Sequence, residues 1–184
     1  MTKIILISGA SGVAKSSTSK KLSETYNITH RLGSGFIREM AKSFVSELQE
    51  PSLYRYSFYQ NHQISAFDNL YSQSTVIQPM IQLAIDRANR EGTGLIIEGV
   101  NVIPGLTQVL YKKVRPVVLY VSDKATHYEM IHGDTHVNRS VSNQQFELVR
   151  SIQTVLLKRA SKYKWPIIDL TQEGGENELR SNIL

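Results

Sequence analysis

Four short apolar runs constrain the fold of this 184-residue chain more than any other feature. They are continuous rather than alternating, rich in β-branched residues and bounded by Gly or Pro, as are strands buried on both faces of a parallel sheet. A weaker fifth candidate covers residues 28–32. The four runs are residues 4–7, 95–97, 117–121 and 167–168.

Segments of helical length separate these runs. Apolar spacing predicts helices over residues 16–26, 36–48 and 144–163, and two helices within 57–91 that are broken near 72–79. A further helix begins at Asp123, with Ser122 or Asp123 as its N-cap. Strands that alternate with helices predict a layered α/β domain with right-handed crossovers, in which ligands bind at the carboxyl ends of the strands.

Length and composition exclude several classes of protein. We expect a single domain over 1–184, because the chain is long enough for one full core and short for two. The absence of Cys excludes disulfides, thiolate zinc sites and a cysteine nucleophile. No apolar run approaches the roughly 20 residues that span a bilayer, and we expect the four-residue first run to be neither a signal peptide nor an anchor. We therefore expect a cytoplasmic protein, whose net charge of +5 favours anionic partners.

A glycine-rich loop, Gly9-Ala10-Ser11-Gly12-Val13-Ala14-Lys15-Ser16, directly follows the first predicted strand. It matches the phosphate-loop pattern GxxxxGK[ST] except at Ala14, where the pattern has Gly. In such a loop the backbone N–H groups, here from Gly9 to Ser17, converge on phosphates together with the dipole of the next helix. Lys15 would reach the β- and γ-phosphates, and the Ser16 hydroxyl would ligate Mg²⁺. An ordinary strand-to-helix turn is the alternative, but a Lys-Ser pair that opens a helix favours ATP and Mg²⁺ as ligands.

The departure at Ala14 has a conditional consequence. If the backbone there needs a positive φ, the Cβ atom costs about 1–2 kcal/mol. A domain of normal stability tolerates this cost, but the strain could distort the amide that caps a phosphate.

Two charged residues follow other predicted strands. Glu98 ends the 95–97 run, where an acid in a phosphate-loop fold holds Mg²⁺ or activates a nucleophile; a solvated strand-end Glu is the alternative. Arg38 follows Gly33 and Gly35 after the weak strand and could clamp a substrate phosphate or carboxylate. A surface Arg paired with Glu39 accounts for it equally well.

Three histidines and an arginine follow the predicted helix start near residue 123. The spacing of His127, His132 and His136 does not put them on one helix face, so a polar loop is favoured over a metal site. Arg139 either closes over the phosphates or is a solvated charge. We treat residues 123–143 as a possible lid.

Two further features have simpler accounts. The aromatic segment 54–59, with Arg55 among its rings, could stack a base, but a helix packed on the sheet is favoured. Asp169 ends the last strand and is interpreted as a turn residue.

Five segments together resemble the 2-phosphoglycerate kinase family of phosphate-loop kinases, at intervals from about residue 3 to residue 169. They are GASGVAKSS, GSGFIREMAK, IIEGVNVIPG, NRSVSNQQFELVRSIQTVLLKRA and WPIID. The glycine loop alone is generic, whereas Glu-Gly-Val followed by Pro-Gly, after an Ile-Arg-Glu segment, is much more specific.

The resemblance implies an adenylate-kinase-like fold, a three-layer P-loop domain with a five-stranded parallel sheet flanked by helices and a small lid. It implies transfer of the ATP γ-phosphate to a small phosphorylated acid. By position, Lys15 and Ser16 carry over as the phosphate and Mg²⁺ residues, Arg38 as a substrate clamp and Glu98 as the acid at a strand end.

The chain departs from the family at several of these positions. Members read Ser-Thr-Asp before the Ile-Arg-Glu segment, and that Asp would orient the attacking hydroxyl; here the position is Gly35. Asn101 stands where the family has His, and Asp134 or a neighbour where it has Arg. Gly35 and Asn101 would enlarge or neutralise the acceptor pocket.

Three functions follow as hypotheses. The first is a Mg-ATP-dependent kinase of a small anionic metabolite such as 2-phosphoglycerate. The second is a nucleotide-binding protein with little transfer activity, because a missing general base costs about 10²–10⁴ in rate. The third is a kinase of nucleotides or nucleic-acid ends, ranked last because basic residues do not cluster; a nucleic-acid partner is therefore not expected.

Overall fold

We describe the protein from a computed structural model, which covers residues 3–109, 111–133 and 141–183. This part of the chain forms five strands and six α-helices, with a short 3₁₀ turn at Pro51–Tyr54. The strands are β1 (Ile4–Ser8), β2 (His30–Gly33), β3 (Leu95–Glu98), β4 (Val114–Tyr120) and β5 (Ile167–Asp169). The helices are α1 (Lys15–Thr25), α2 (Ser34–Ala41), α3 (Ala66–Glu91), α4 (Lys124–His132), α5 (Asn143–Tyr163) and α6 (Gly175–Ile183).

The five strands form one parallel sheet in the order β2-β3-β1-β4-β5. The central strand β1 pairs with β3 on one side and β4 on the other, with Ile7 in register with Glu98 and with Val117. The sheet therefore extends from β1 in both directions. The loop after β1 lies where the strand order reverses, which is the place where ligands bind in such sheets.

Helices cover both faces of the sheet, so the domain has three layers. Ile4 and Leu6 of β1 pack with buried residues of α2, α3 and α5. Ile5 and Ile7 point to the opposite face and pack with α1 and α6. All four side chains are fully buried, which explains why the run is apolar without alternation. The predicted α/β fold and its five-stranded parallel sheet are confirmed.

The helix predicted over 36–48 is wrong at its C-terminal end, because α2 stops at Ala41. Phe44 and Leu48 are 81% and 97% exposed, so their helical spacing marks no buried face. The chain turns after α2, and the Tyr54 hydroxyl donates to the Val45 carbonyl at 2.9 Å. This side-chain contact from a later segment stabilises the turn that ends the helix.

The break predicted near residues 72–79 is also wrong. One helix, α3, runs for 26 residues with Pro79 inside it. Ile77, Ile81 and Ile85 are fully buried on the face toward the sheet, and this packing outweighs the single backbone hydrogen bond that Pro79 removes. Although α3 is long, neither it nor any other helix in the described ranges is apolar enough to cross a membrane.

Candidate phosphate-transfer site

The glycine loop connects β1 to α1 at the centre of the sheet. Gly9 and Gly12 both have positive φ, at 146° and 80°. A Cβ atom on Gly9 would lie 2.4 Å from the Leu119 carbonyl oxygen, and one on Gly12 would lie 2.7 Å from Ile131 Cβ. The two glycines therefore let the loop pack closely against β4 and α4.

Ala14 has the positive φ on which the expected strain depends, with φ 59° and ψ 22°. It is the N-cap residue of α1 and makes no side-chain capping hydrogen bond. Its carbonyl still accepts from the Thr18 N–H at 2.9 Å, which is the first bond of the helix. The helix start is intact, so the cost of about 1–2 kcal/mol falls on the backbone of Ala14.

Lys15, Ser16 and Glu98 lie together at the carboxyl edge of the sheet. The first two residues open α1, and Glu98 ends the neighbouring β3. The Ser16 hydroxyl donates to Glu98 Oε1 at 2.8 Å, while Lys15 Nζ donates to the Ala10 carbonyl within the loop. The sheet register explains this meeting, because Glu98 pairs with Ile7 one residue before β1 ends.

The contact between Ser16 and Glu98 suits Mg²⁺ by its ligand chemistry. Hydroxyl and carboxylate oxygens are hard ligands, and Mg²⁺ is commonly held by one or two such groups together with substrate phosphates. Within the described ranges, no group of three or more His, Asp or Glu residues could hold a metal ion. A divalent ion at this contact would therefore complete its coordination with phosphate oxygens or water.

Helix α4 packs on the glycine loop through a histidine. The prediction of a polar loop is wrong for His127 and His132, because both lie on α4, whose N-cap Asp123 accepts from the Thr126 N–H at 2.6 Å. The His127 side chain is fully buried, and its Nε2 lies 2.8 Å from the Ser11 carbonyl oxygen. This histidine thus contacts the backbone of the glycine loop directly.

Arg150 of α5 supports His127 from the other side. Its Nη1 donates to the Val121 carbonyl at 2.7 Å and lies 3.4 Å from His127 Nδ1. Burial lowers the pKa of His127, and the positive charges of Arg150 and Lys15 lower it further. A neutral ring that donates from Nε2 to Ser11 fits this environment.

Asp169 turns the chain after β5, as predicted, and also joins two strand ends. Its Oδ1 accepts from the Thr171 N–H at 2.9 Å, and its Oδ2 accepts from the Ser122 N–H at 2.7 Å. Burial alone would raise the pKa of this carboxyl, but the hydrogen bonds from Thr171 and Ser122 outweigh it and hold the pKa below its ordinary value. The ends of β4 and β5 are therefore held together beside the site.

Arg38 lies on α2, one turn after Ser34, which packs against Gly99 at the end of β3. Its Nη1 donates to the Arg55 carbonyl at 3.2 Å and its Nη2 to Glu39 Oε1 at 3.0 Å. Its Nε is buried and has no hydrogen-bond partner in the described part of the chain. The pairing with Glu39 that the sequence left open is present, and one guanidinium N–H is left unsatisfied.

Gly35 and Asn101, two positions at which the chain differs from the family pattern, have different surroundings. Gly35 is exposed, and an added Cβ atom would meet nothing within 4 Å. Asn101 is only 2% exposed; its Oδ1 accepts from the Ser34 hydroxyl at 3.3 Å and its Nδ2 donates to Ser74 Oγ at 3.1 Å. Asn101 thus belongs to a buried polar network, and its effect on an acceptor pocket stays a prediction.

The aromatic segment 54–59 is not a helix packed on the sheet, so that prediction is also wrong. After the 3₁₀ turn it forms an irregular connection to α3. The rings of Tyr56 and Phe58 stack with centroids 5.4 Å apart, and the Arg55 guanidinium lies 4.5 Å from the centroid of the Tyr59 ring. Backbone carbonyls of this segment accept from side-chain amides of α3, which replace the hydrogen bonds of a helix.

Part of the predicted lid, with Arg139, lies outside the described residues, as do Asp134 and His136. At the edge of that part, the two ring nitrogens of His132 lie 2.7 Å from the Tyr128 carbonyl oxygen and 2.8 Å from the Val141 carbonyl oxygen. These hydrogen bonds raise the pKa of His132.

A cavity of about 260 Å³ lies next to the glycine loop, between α1 and α6. Its lining includes Ala14, Ser17 and Thr18 near the start of α1, and Leu170 and Thr171 from the turn after β5. The cavity thus adjoins the loop at the N-terminus of α1.

Comparison with known proteins finds sequence similarity to curated kinases. No protein-family model matches the chain. It is similar to curated 2-phosphoglycerate kinases from Methanothermobacter thermautotrophicus (29% identity over 187 residues), Methanococcus maripaludis strain C5 (28% over 186) and Methanopyrus kandleri (27% over 181). Each match covers 90% of this chain but only 55–60% of the relative. The resemblance seen in the motifs is confirmed, and the chain spans little more than half the length of these relatives.

Solved structures share the fold. Shikimate kinase from Acinetobacter baumannii, in complex with shikimate, superposes with a TM-score of 0.57 at 12% identity, over 98% of this chain and 90% of that one. An uncharacterised protein from Eubacterium ventriosum gives a TM-score of 0.51 at 14% identity, over 99% and 98% of the two chains. The chain therefore shares its overall fold with these two structures.

Proposed function

We propose that this protein binds Mg-ATP on its glycine loop and transfers the γ-phosphate to a hydroxyl group of a small anionic metabolite. The observation that carries the proposal is the hydrogen bond of 2.8 Å between Ser16 and Glu98. It places a hydroxyl and a carboxylate beside Lys15, at the reversal point of a parallel sheet. Similarity to 2-phosphoglycerate kinases over 90% of the chain supports the same reaction class.

Each group at the site would have a role that follows from its chemistry. The loop amides and the N-terminus of α1 bind the phosphates, and Lys15 exchanges the Ala10 carbonyl for phosphate oxygens. Ser16 and Glu98 hold the ion that, when bound, supplies charge neutralisation to the phosphoryl group. The bond between the γ-phosphorus and its bridging oxygen breaks as the acceptor oxygen bonds to phosphorus; ADP leaves with the bridging oxygen, and the hydroxyl proton passes to solvent.

The acceptor would be an anionic alcohol of the 2-phosphoglycerate type. Support comes from the named relatives and from Arg38, whose side chain is 20% exposed one turn after Ser34 on α2. An arginine suits carboxylate and phosphate groups because its N–H donors match their geometry. We also propose Arg139, which lies outside the described residues, as a second arginine near the phosphates.

The cavity between α1 and α6 would take the base of the nucleotide. It begins at Ala14 and Ser17, next to the phosphate loop, and Leu22 and Leu179 supply apolar surface. A flat heterocycle buries well against such residues.

The experiment follows ADP formation with Mg-ATP and 2-phosphoglycerate in wild type and in Glu98→Gln. Wild type should form ADP only when the acceptor is present, and Glu98→Gln should lower the rate about 100-fold and shift the Mg²⁺ requirement upward. Glu147→Gln, an exposed carboxylate on α5, serves as the control and should behave as wild type. Equal rates and equal Mg²⁺ requirements in wild type and Glu98→Gln would exclude the proposed metal site.

A second candidate is a nucleotide-binding protein with little transfer activity. The observation that favours it is Gly35, which supplies no carboxylate to orient a hydroxyl and has open space around it. Isothermal titration with Mg-ATP separates the two. Tight binding with no ADP from any anionic alcohol would support this candidate against the kinase.

A further inference from the structure

A ring of hydrogen bonds connects the end of β3 with Arg38. It begins at Ser34, whose hydroxyl donates to Asn101 Oδ1 at 3.3 Å. Asn101 Nδ2 lies 3.4 Å from Gln73 Oε1, to which it donates. Gln73 Nε2 then donates to the Arg55 carbonyl at 2.9 Å, and Arg38 Nη1 donates to that same carbonyl at 3.2 Å. Because Ser34 and Arg38 lie one turn apart on α2, the helix itself closes the ring.

Gln73 is the member that joins the two halves of this ring. Its side chain is fully buried on α3, and its amide has both N–H donors in use, one to the Arg55 carbonyl and one to the Ser52 carbonyl at 2.6 Å. Its oxygen accepts from Asn101. A buried amide with every partner satisfied fixes the groups it contacts, since any displacement would leave a polar atom unpaired.

The ring reaches the transfer site through Gly99. A Cβ atom at Gly99, which has φ 145°, would lie 1.8 Å from Ser34 Oγ. The backbone that follows Glu98 is therefore in close contact with the first residue of the ring. The position of α2 and that of Glu98 are thus linked by direct contact.

We infer that Gln73 is a positioning residue for acceptor binding: it fixes the Arg55 carbonyl that holds Arg38 and so sets Arg38 relative to Glu98. The inference rests on the proposed function and assigns a role to a residue that touches neither nucleotide nor acceptor. The Arg38 side chain is still 20% exposed, so an acceptor anion can reach the guanidinium that this arrangement fixes. Nucleotide binding involves none of these contacts and is independent of Gln73.

The test is Gln73→Met, which keeps the length of the side chain and removes its donors. With 2-phosphoglycerate as the acceptor, kcat/KM for the acceptor should fall about tenfold or more while the KM for Mg-ATP stays within about twofold.

The matched control is Asn69→Leu, one turn earlier on α3. Asn69 is equally buried and donates to the neighbouring Tyr56 carbonyl at 2.9 Å, outside the ring. The Asn69→Leu variant should be less stable than wild type, with little change in kcat/KM for the acceptor. Equal kinetic effects in the two variants, or equal effects on both substrates, would overturn the inference.

A second readout does not depend on turnover. In ¹⁵N-labelled wild type, the buried Arg38 Nε–H should exchange slowly with solvent, and Gln73→Met should accelerate that exchange and shift the resonance. Unchanged exchange and an unchanged resonance position would overturn the positioning role even in a protein without kinase activity.

If Gln73→Met does not fold, Ser34→Ala breaks the ring at its other end and must produce the same changes to a smaller degree. Absence of turnover in wild type, with the Arg38 signal responding as expected, would count against the proposed function and leave the positioning role supported.

Discussion

Ala14 occupies a left-handed conformation where the phosphate-loop pattern has Gly, with φ 59°. Ala14→Gly should remove the strain of the Cβ atom, about 1–2 kcal/mol, and lose part of that gain to the entropy of Gly in the unfolded chain. We expect a net stabilisation of up to about 1 kcal/mol in urea denaturation, with Mg-ATP binding at least as tight as in wild type.

The control for this variant is Ala88→Gly, at a buried position inside α3. It should destabilise by about 1 kcal/mol, because the same replacement in a helix interior carries only the cost. A loss of stability in both variants would contradict the strain assigned to Ala14.

In the proposed function, Lys15 is the residue on which phosphate binding depends most. Lys15→Ala should lower turnover of Mg-ATP by about 100-fold or more, since a positioned charge that stabilises the transferred group is lost. The fold should persist, as Lys15 is partly exposed at the start of α1, and circular dichroism checks this. Lys20→Ala, exposed on the same helix, should retain wild-type turnover. Turnover of Mg-ATP by Lys15→Ala at the wild-type rate would exclude the phosphate-loop assignment.

The sequence predicted the site residues that belong to one contiguous motif. Gly9 to Ser16 are contiguous, so their pattern alone implies a loop between a strand and a helix. It did not predict His127, Arg150 or Gln73, because their partners are distant in sequence: the Ser11 carbonyl for His127, for example. The available signal for Arg150 was its position one turn after Phe146 on the buried face of α5, where a charged residue needs a partner.

At the scale of one element, α4 carries two histidines whose protonation affects stability with opposite sign. The pKa of His127 is lowered from an ordinary value of 6.5, mainly by burial. The unfolded chain therefore binds a proton more readily there, and the stability due to neutral His127 is lost as pH falls from about 6.5 through its lower folded pKa. The pKa of His132 is raised by its two carbonyl partners. Its contribution is complete below about 6.5 and is lost as pH rises through its higher folded pKa.

Single variants separate these two contributions. Relative to wild type, His127→Asn should reduce the loss of stability below pH 6.5, while His132→Asn should reduce the loss above that pH. The measurement is the free energy of unfolding in urea between pH 5 and 8. Identical pH profiles for wild type and His127→Asn would show that the contact with the Ser11 carbonyl does not depend on a neutral ring.

Element boundaries were predicted less well than element types, for reasons visible in α2 and α3. Local spacing extended α2 to residue 48, but the Tyr54 hydroxyl stabilises a turn long before that point. Pro79 suggested a break in α3, but the buried residues Ile77 and Ile81 on either side hold the helix to the sheet. In both cases contacts from other elements outweighed the local signal.

At the scale of the whole molecule, the sheet order explains why the candidate site lies where it does. β1 is central, and its neighbours β3 and β4 bring Glu98 and the start of the α4 segment to the same edge as the glycine loop. The apolar runs predicted that a parallel sheet would form, because strands buried on both faces lack alternation. They did not predict which strand lies beside which, since that depends on crossovers and on packing between distant segments.

The most direct test of phosphoryl transfer is ³¹P NMR of Mg-ATP with the protein and a mixture of phosphorylated hydroxy-acids that includes 2-phosphoglycerate. We expect a new phosphate resonance from the phosphorylated acceptor, growing at the same rate as the resonances of ADP. ATP resonances that broaden on binding, with no product after hours, would contradict phosphoryl transfer and leave a nucleotide-binding protein. ATP resonances unchanged by the protein would contradict the phosphate loop itself.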